Sequence, residues 1–298
     1  MTDQATDAVL RIEDLHVEIR KAGHATPILR GVNLTVPVGR VHALVGESGG
    51  GKSMVTKAAT GLLPTGGVIT QGRIVLDGHD VTRYGEAQWR PLRGGSVSMV
   101  LQDPLTALNP VRRIGAQIMD VLRLHRGLRG AEAERECIQL LEMVQLREPA
   151  RVVRAYPHEL SGGMRQRVVI TMAWACKPRL IICDEPTTAL DVTVQKQVLR
   201  LIHRLAGDGQ GVLLVTHDLG VVAKLCHSLS VIHGGRILEE GAVEQVYAAP
   251  RHAYTRALLA ATPRFDQPGH ELLPVSDALI DQLMAEARDY DRQRAAMA

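Results

Sequence analysis

The stretch Gly46-Glu47-Ser48-Gly49-Gly50-Gly51-Lys52-Ser53 follows the apolar run Val41-His42-Ala43-Leu44-Val45 and leads through Met54 into a helical run. A glycine, four residues, then Gly-Lys-Ser, with a strand before and a helix after, is the spacing of a phosphate-binding loop. Glycines let backbone N–H groups converge on phosphate oxygens, and the helix N-terminus adds a favourable dipole. Lys52 is placed to reach the β- and γ-phosphates, and the Ser53 hydroxyl to ligate Mg²⁺. A chance glycine-rich turn would lack the strand-and-helix setting. By itself the loop identifies a nucleotide and leaves GTPases, kinases and transport ATPases open.

Downstream, Leu180-Ile181-Ile182-Cys183-Asp184-Glu185 reads as an apolar strand ending in two carboxylates. That places them at the carboxyl edge of a sheet, where α/β proteins bind ligands. Asp184 suits Mg²⁺ binding and Glu185 suits polarising an attacking water as a general base. Without the phosphate loop, the same pair would read as a helix cap. Leu160-Ser161-Gly162-Gly163-Met164 opens a helix running through Arg165-Gln166-Arg167, a second anion-favouring terminus. One nucleotide needs one cradle, so a second makes sense if it serves a nucleotide held mainly by another subunit. Read alone, a Ser-Gly-Gly here is a helix cap.

Alternation predicts strands over 10–19 and 32–36, and short apolar runs predict strands over 41–45, 72–76, 97–101, 180–183 and 212–215, with paired short strands around Gly234 and Gly235. Residues 111–147 have helical periodicity with a break at 127–130, and 192–205 reads as a helix. Strands alternating with helices imply an α/β fold with a mostly parallel sheet. Pro250, Pro263, Pro268 and Pro274 punctuate the tail, and 276–298 reads as a charged terminal helix.

Composition narrows the classes. The chain has 298 residues, 45% hydrophobic and 22% charged, a globular balance with room for about two domains. Aromatic residues make up only 3%, and none precedes Tyr84, which argues against base-stacking platforms and outer-membrane barrels. A net charge of +3 from 35 basic and 32 acidic residues is too small a surplus for a nucleic-acid partner. The densest basic stretch, 123–135, reads as a solvated helical face. Cys137, Cys176, Cys183 and Cys226 have no zinc-site spacing and fit reduced thiols. Neither a signal peptide nor an apolar membrane span is legible in the chain.

With these residues in view the chain resembles the ATP-binding cassette (ABC) transporter ATPases. The family's ordered motifs are Walker A at 46–53, the Q-loop glutamine Gln102 in Val100-Leu101-Gln102-Asp103-Pro104, and the signature at Leu160-Ser161-Gly162-Gly163. Walker B ends at Asp184 with Glu185 next, followed by the D-loop Ala189-Leu190-Asp191 and the switch histidine His217 in Val215-Thr216-His217-Asp218. The resemblance implies a P-loop cassette with a mostly parallel core sheet, an antiparallel β subdomain and a helical subdomain at about 103–175. The cassette would occupy 1–240 and a C-terminal extension 241–298. It also implies a head-to-tail dimer with ATP between the Walker A of one subunit and the signature of the other. Lys52, Gln102, Glu185 and His217 would be catalytic, Gln102 would join Ser53 and Asp184 at Mg²⁺, and Asp191 would link the two sites.

Three stretches resemble the dipeptide, oligopeptide and nickel importer branch: 102–110, 156–167, and Pro250-Arg251-His252-Ala253-Tyr254-Thr255-Arg256-Ala257-Leu258-Leu259, where Ala253 replaces the branch's usual Pro. The resemblance reaches about residue 263. It implies a peripheral subunit on the cytoplasmic face of the bacterial inner membrane, paired with a related second ATPase chain, two membrane permeases and an extracytoplasmic binding protein. Peptide is the leading substrate, with nickel, opines, glutathione or glycosides as alternatives. A non-transport cassette acting on ribosomes or nucleic acid is the reading from another class, but it would bring a second cassette, a coiled-coil insertion or zinc cysteines. With no Cys after Cys226, the iron–sulfur cluster of some relatives is not expected. The family stacks adenine on an aromatic residue ahead of Walker A; here Ile19 or His24 is expected to offer a weaker platform and loose base selectivity.

Overall fold

A computed structural model describes residues 8–188, 190–262 and 274–297. Ala189, Pro263 and Pro268 lie outside the described residues. The strands are β1 (Ala8–Lys21), β2 (His24–Pro37), β3 (Val41–Val45), β4 (Gly67–Leu76), β5 (His79–Asp80), β6 (Val97–Val100), β7 (Leu180–Asp184), β8 (Gly211–Thr216), β9 (Ser228–His233) and β10 (Arg236–Ala242). They form two sheets, a four-stranded one in the order β2-β1-β4-β5 and a six-stranded one in the order β10-β9-β3-β8-β7-β6. The first is antiparallel throughout; in the second only the β9–β10 pair is antiparallel.

The central strands are continuous apolar runs because both of their faces are covered. Along β7, Leu180 and Ile182 face one apolar cluster while Ile181 and Cys183 face another; along β8, Leu213 and Val215 oppose Val212 and Leu214 in the same way. Period-two alternation therefore splits one sheet between two cores. On one side lie α1 (Lys52–Ala59) and the antiparallel sheet, with α2 (Glu86–Leu92) at its margin. On the other lie α3 (Pro104–Ala107), α4 (Ile114–Arg126), α5 (Gly130–Met143), α6 (Pro149–Arg154), α7 (Gly162–Trp174) and α8 (Val192–Gly207). Ile114, Ile118 and Leu122 show why α4 forms and docks, since their four-residue spacing makes one buried stripe.

A third cluster joins α9 (Leu219–Leu225), α10 (Val243–Ala248), α11 (Ala253–Ala260) and α12 (Asp277–Met297) to Ala43, Val45, Leu229 and Val231 of β3 and β9. The last helix folds back over the hairpin sheet. Arg30 donates from Nε and Nη2 to the two carboxylate oxygens of Asp291, 2.8 Å each, and from Nη1 to Gly234 O at 2.8 Å. Arg236 lies over the Tyr290 ring at 5.1 Å, and Leu283 and Ala287 are buried.

Three strands run well beyond their sequence-based bounds, among them β4, which spans Gly67–Leu76 where the apolar run covers only 72–76. β1 and β2 are each longer than the alternation over 10–19 and 32–36, because a two-residue turn at Ala22 (φ 49) and Gly23 (φ 81) closes a hairpin whose tip is exposed and so carries no apolar pattern. α7 begins at Gly162, within the 160–164 stretch read as a helix start, and the Ser161 side chain caps it by accepting from Met164 N at 3.3 Å.

One buried histidine gives the fold a pH dependence. His42 on β3 is 1% exposed, with Nδ1 2.8 Å from Ser228 Oγ and Nε2 2.9 Å from Ser230 Oγ. Burial holds its pKa down at about 4, against an ordinary 6.5. Between these values the unfolded chain binds a proton that the folded chain refuses, so stability present above pH 6.5 is lost as pH falls towards 4. One such proton is worth up to about 1.4 kcal/mol per pH unit. His42→Gln is expected to flatten the fall in melting temperature across this window; an unchanged slope would remove His42 as the cause.

Candidate active site

Register brings the sequence-distant motifs to one edge. Val45 pairs with Thr216 and Val215 with Asp184, while Cys183 pairs with Val100. The loop after β3, the carboxylates at the end of β7, His217 after β8 and Gln102 after β6 therefore lie together at one edge of the sheet. They surround a cavity of about 720 Å³ lined by Glu47, Ser48, Gly49, Gly51, Lys52, Ser53 and Met54 from the loop and α1, by Gln102, Asp184, Glu185, Thr188 and His217, and by Ile28.

The loop is shaped by close approach and by its own lysine. A Cβ at Gly46 would run into the Ile232 carbonyl, so only glycine lets β3 turn into the loop here. Lys52 is 7% exposed and donates from Nζ to Gly46 O at 2.6 Å and Glu47 O at 2.8 Å. Gly50 N donates to Glu47 O at 3.2 Å, and Gly235 N to Gly50 O at 2.9 Å. Burial lowers the Lys52 pKa, opposed by the nearby charges of Glu185, Asp184 and Glu47. The carboxylates thus favour a charged ammonium at the place where phosphate oxygens would sit.

Glu185 is the hub of the opposite wall. Its Oε2 accepts from Gln102 Nε2 at 3.0 Å and from Thr188 Oγ1 at 3.1 Å, and its Oε1 lies 3.2 Å from His217 Nδ1. Its backbone sits at φ 46, a region that costs a non-glycine residue about 1 kcal/mol or more. The strain is held by the end of β8, since Glu185 N donates to Val215 O at 2.8 Å. Burial, and then the Glu185 charge, push the Asp184 carboxyl above the usual range. A cation would relieve both effects. The donors available, the Ser53 hydroxyl, the Gln102 amide oxygen and the Asp184 carboxylate, are all hard oxygens, and Mg²⁺ is ordinarily held by one or two carboxylates together with substrate phosphates. The residues present fit that ion.

The structure does not bring every expected residue to the cavity. Ser161 and Gly162 are exposed at the start of α7, and Gly163 packs so closely on α8 that a Cβ would run into Val194. Asp191 caps α8, its Oδ1 accepting from Thr193 N at 3.0 Å and Val194 N at 2.9 Å. None of these four lines the cavity. The apolar side chain beside the loop in the cavity wall is Ile28, and neither Ile19 nor His24, the residues expected near the base, lines it. Ile19 is paired with Thr26 and Gly67, and His24 is at the exposed end of the hairpin. Thr188 was also missed, although a hydroxyl three residues after a turn carboxylate is a readable signal for a local hydrogen bond.

The family model described as ABC transporter matches residues 29–188, which contain the loop, Gln102, the signature and both carboxylates. The chain belongs to the ABC transporter family. A second model, the oligopeptide/dipeptide transporter C-terminal region, matches 238–285, past the point near residue 263 to which the sequence resemblance reached. The chain is 45% identical to the Probable D,D-dipeptide transport ATP-binding protein DdpD of Escherichia coli (strain K12) over 93% of its own length and 85% of that protein. It is 42% identical to the oligopeptide transport ATP-binding protein OppD of Salmonella typhimurium over 91% of its length and 81% of that protein. Among solved structures, the dimeric ATP-binding cassette MJ0796 in a post-hydrolysis state, bound to ADP and Pi, superposes with a TM-score of 0.70 at 25% identity, covering 78% of this chain and 98% of that one. This ABC chain is an ATPase cassette of the P-loop fold. Among the described residues no helix is long and apolar enough to cross a membrane.

Proposed function

We propose that this ABC ATPase powers uptake of di- or oligopeptides through two membrane permeases, as a peripheral subunit on the cytoplasmic face of the bacterial inner membrane. The observation that carries the reading is the joining of a cassette to the C-terminal region at 238–285, which bears the name of oligopeptide and dipeptide transporters. We assign 1–240 to the cassette, with its helical subdomain at about 103–175, and 241–298 to the extension. An extracytoplasmic binding protein would deliver the peptide.

Within the site, Lys52 and the N–H groups of 46–53 would hold the β- and γ-phosphates, with Met54 completing the turn into α1. Ser53, Gln102 and Asp184 would hold Mg²⁺, which when bound would neutralise phosphate charge. Glu185 would polarise the attacking water, taking its proton at Oε2 or Oε1, and His217 would orient that carboxylate and the γ-phosphate. Ser161, Gly162, Gly163 and Asp191 lie off the cavity, which supports their serving the nucleotide of a second, related ATPase chain across a head-to-tail heterodimer. The structure of MJ0796 is itself dimeric.

Purification of the intact transporter from its source membrane tests this reading. The complex is expected to contain a second cassette chain and two permeases, and its reconstituted vesicles to take up labelled dipeptide on addition of ATP. Uptake of nickel, an opine, glutathione or a glycoside without peptide uptake would replace the substrate.

A further inference from the structure

The C-terminal extension reaches the phosphate loop from behind. Tyr254 on α11 is fully buried, and its hydroxyl accepts from Glu47 N at 3.1 Å, across 207 residues of sequence. Glu47 is the second residue of the loop. Its carbonyl and that of Gly46 are clasped by Lys52, so the 46–47 segment is held from the cavity side by the ammonium and from the core side by the tyrosine. The Tyr254 ring is tilted against His233 at 4.8 Å, and His233 precedes the Gly234–Gly235 turn that holds Gly50 O. Extension, β9–β10 turn and loop thus form one contiguous support.

We propose that Tyr254 is a positioning residue for nucleotide binding, its hydroxyl orienting the Gly46–Glu47 peptide so that the loop is shaped before phosphate arrives. A loop already in its bound shape binds more tightly because less ordering remains to be done on association. A partly buried N–H left without its acceptor would let the peptide turn to seek another. The extension then contributes to ATP affinity through one bond, separately from anything it does at the permeases.

Tyr247 supplies a matched control. It lies on α10 in the same extension, and its hydroxyl donates to Leu219 O at 2.6 Å without touching the loop. Each Tyr→Phe change keeps the ring in its apolar cluster and removes one partly buried hydrogen bond. The full chain would be titrated with ADP, which lacks the γ-phosphate and so reports on the loop rather than on the His217 side. Tyr254→Phe is expected to weaken ADP binding by about fivefold to tenfold, the equivalent of one hydrogen bond, and Tyr247→Phe by less than about twofold. Amide hydrogen exchange in residues 46–53 of the nucleotide-free protein should quicken in the first variant only. ADP affinity unchanged in Tyr254→Phe, or weakened equally in both variants, would overturn the proposal. So would failure of Tyr254→Phe alone to fold, since the bond would then be a folding requirement. Wild-type protein that fails to bind ADP would count against the nucleotide site itself and not against Tyr254.

Discussion

Glu185→Gln is expected to lower ATP hydrolysis by about 10²- to 10⁴-fold, the usual worth of a general base, while leaving ATP binding within about threefold of wild type. The replacement has the same shape and can keep the same neighbours. Its amide oxygen can accept from Gln102 Nε2 and Thr188 Oγ1 as the carboxylate does, and its N–H₂ can donate to His217 Nδ1 in the tautomer that leaves that nitrogen bare. What it cannot do is take a proton from water. Binding without turnover should trap the ATP-bound assembly, visible as a larger species in size-exclusion chromatography with ATP present. Phosphate release at the wild-type rate would remove Glu185 as the base.

Lys52→Ala is expected to act on the other quantity. The ammonium is nearly buried, and its two present partners are the carbonyls of Gly46 and Glu47. A triphosphate would offer it charge-assisted bonds, worth about 1.5–3 kcal/mol, in place of neutral ones. Alanine should therefore raise the Kd for ATP by roughly 10- to 100-fold and also loosen the loop that the lysine clasps. Lys52→Arg is not expected to restore affinity, because a planar fork does not fit a site built for a compact ammonium. Calorimetric titration with ATP checks both variants; affinity within threefold of wild type in Lys52→Ala would exclude the lysine from phosphate binding. Together the two substitutions separate binding from chemistry.

Much of this site is written locally. A phosphate loop needs its glycines, lysine and serine within one strand-to-helix turn, so eight consecutive residues declare it. Asp184 and Glu185 are legible because an apolar run ends where they begin, and Gln102 and His217 because they fall in the family's motif order; that they flank the carboxylates one strand away on either side is decided by the sheet order. Thr188 was legible as a local hydrogen-bond partner of Glu185, whereas Ile28 and Tyr254 were not legible in their roles. Ile28 depends on how the β1–β2 hairpin lies against the loop, and its exposed tip has no apolar pattern from which to judge that. Tyr254 depends on a helix in the last fifth of the chain packing under the first turn of the loop, a contact that no local spacing encodes.

The dearth of aromatics, with none before Tyr84, remains a fact of sequence, and the structure places an aliphatic residue, Ile28, at the cavity. The signature residues show the opposite limit. Their identity is plain from sequence, yet in one chain they stand away from the cavity, at the N-terminus of a helix whose face is occupied by Val194. By itself the sequence determined the fold class, the nucleotide loop and the pair of acidic residues, because each rests on short-range rules of backbone geometry and hydrophobic period. The tertiary structure alone decided which side chains share the cavity, which ones hold Glu185 in its strained turn, and which distant tyrosine supports the loop, because strand register and helix packing bring together residues that the chain keeps up to 207 positions apart.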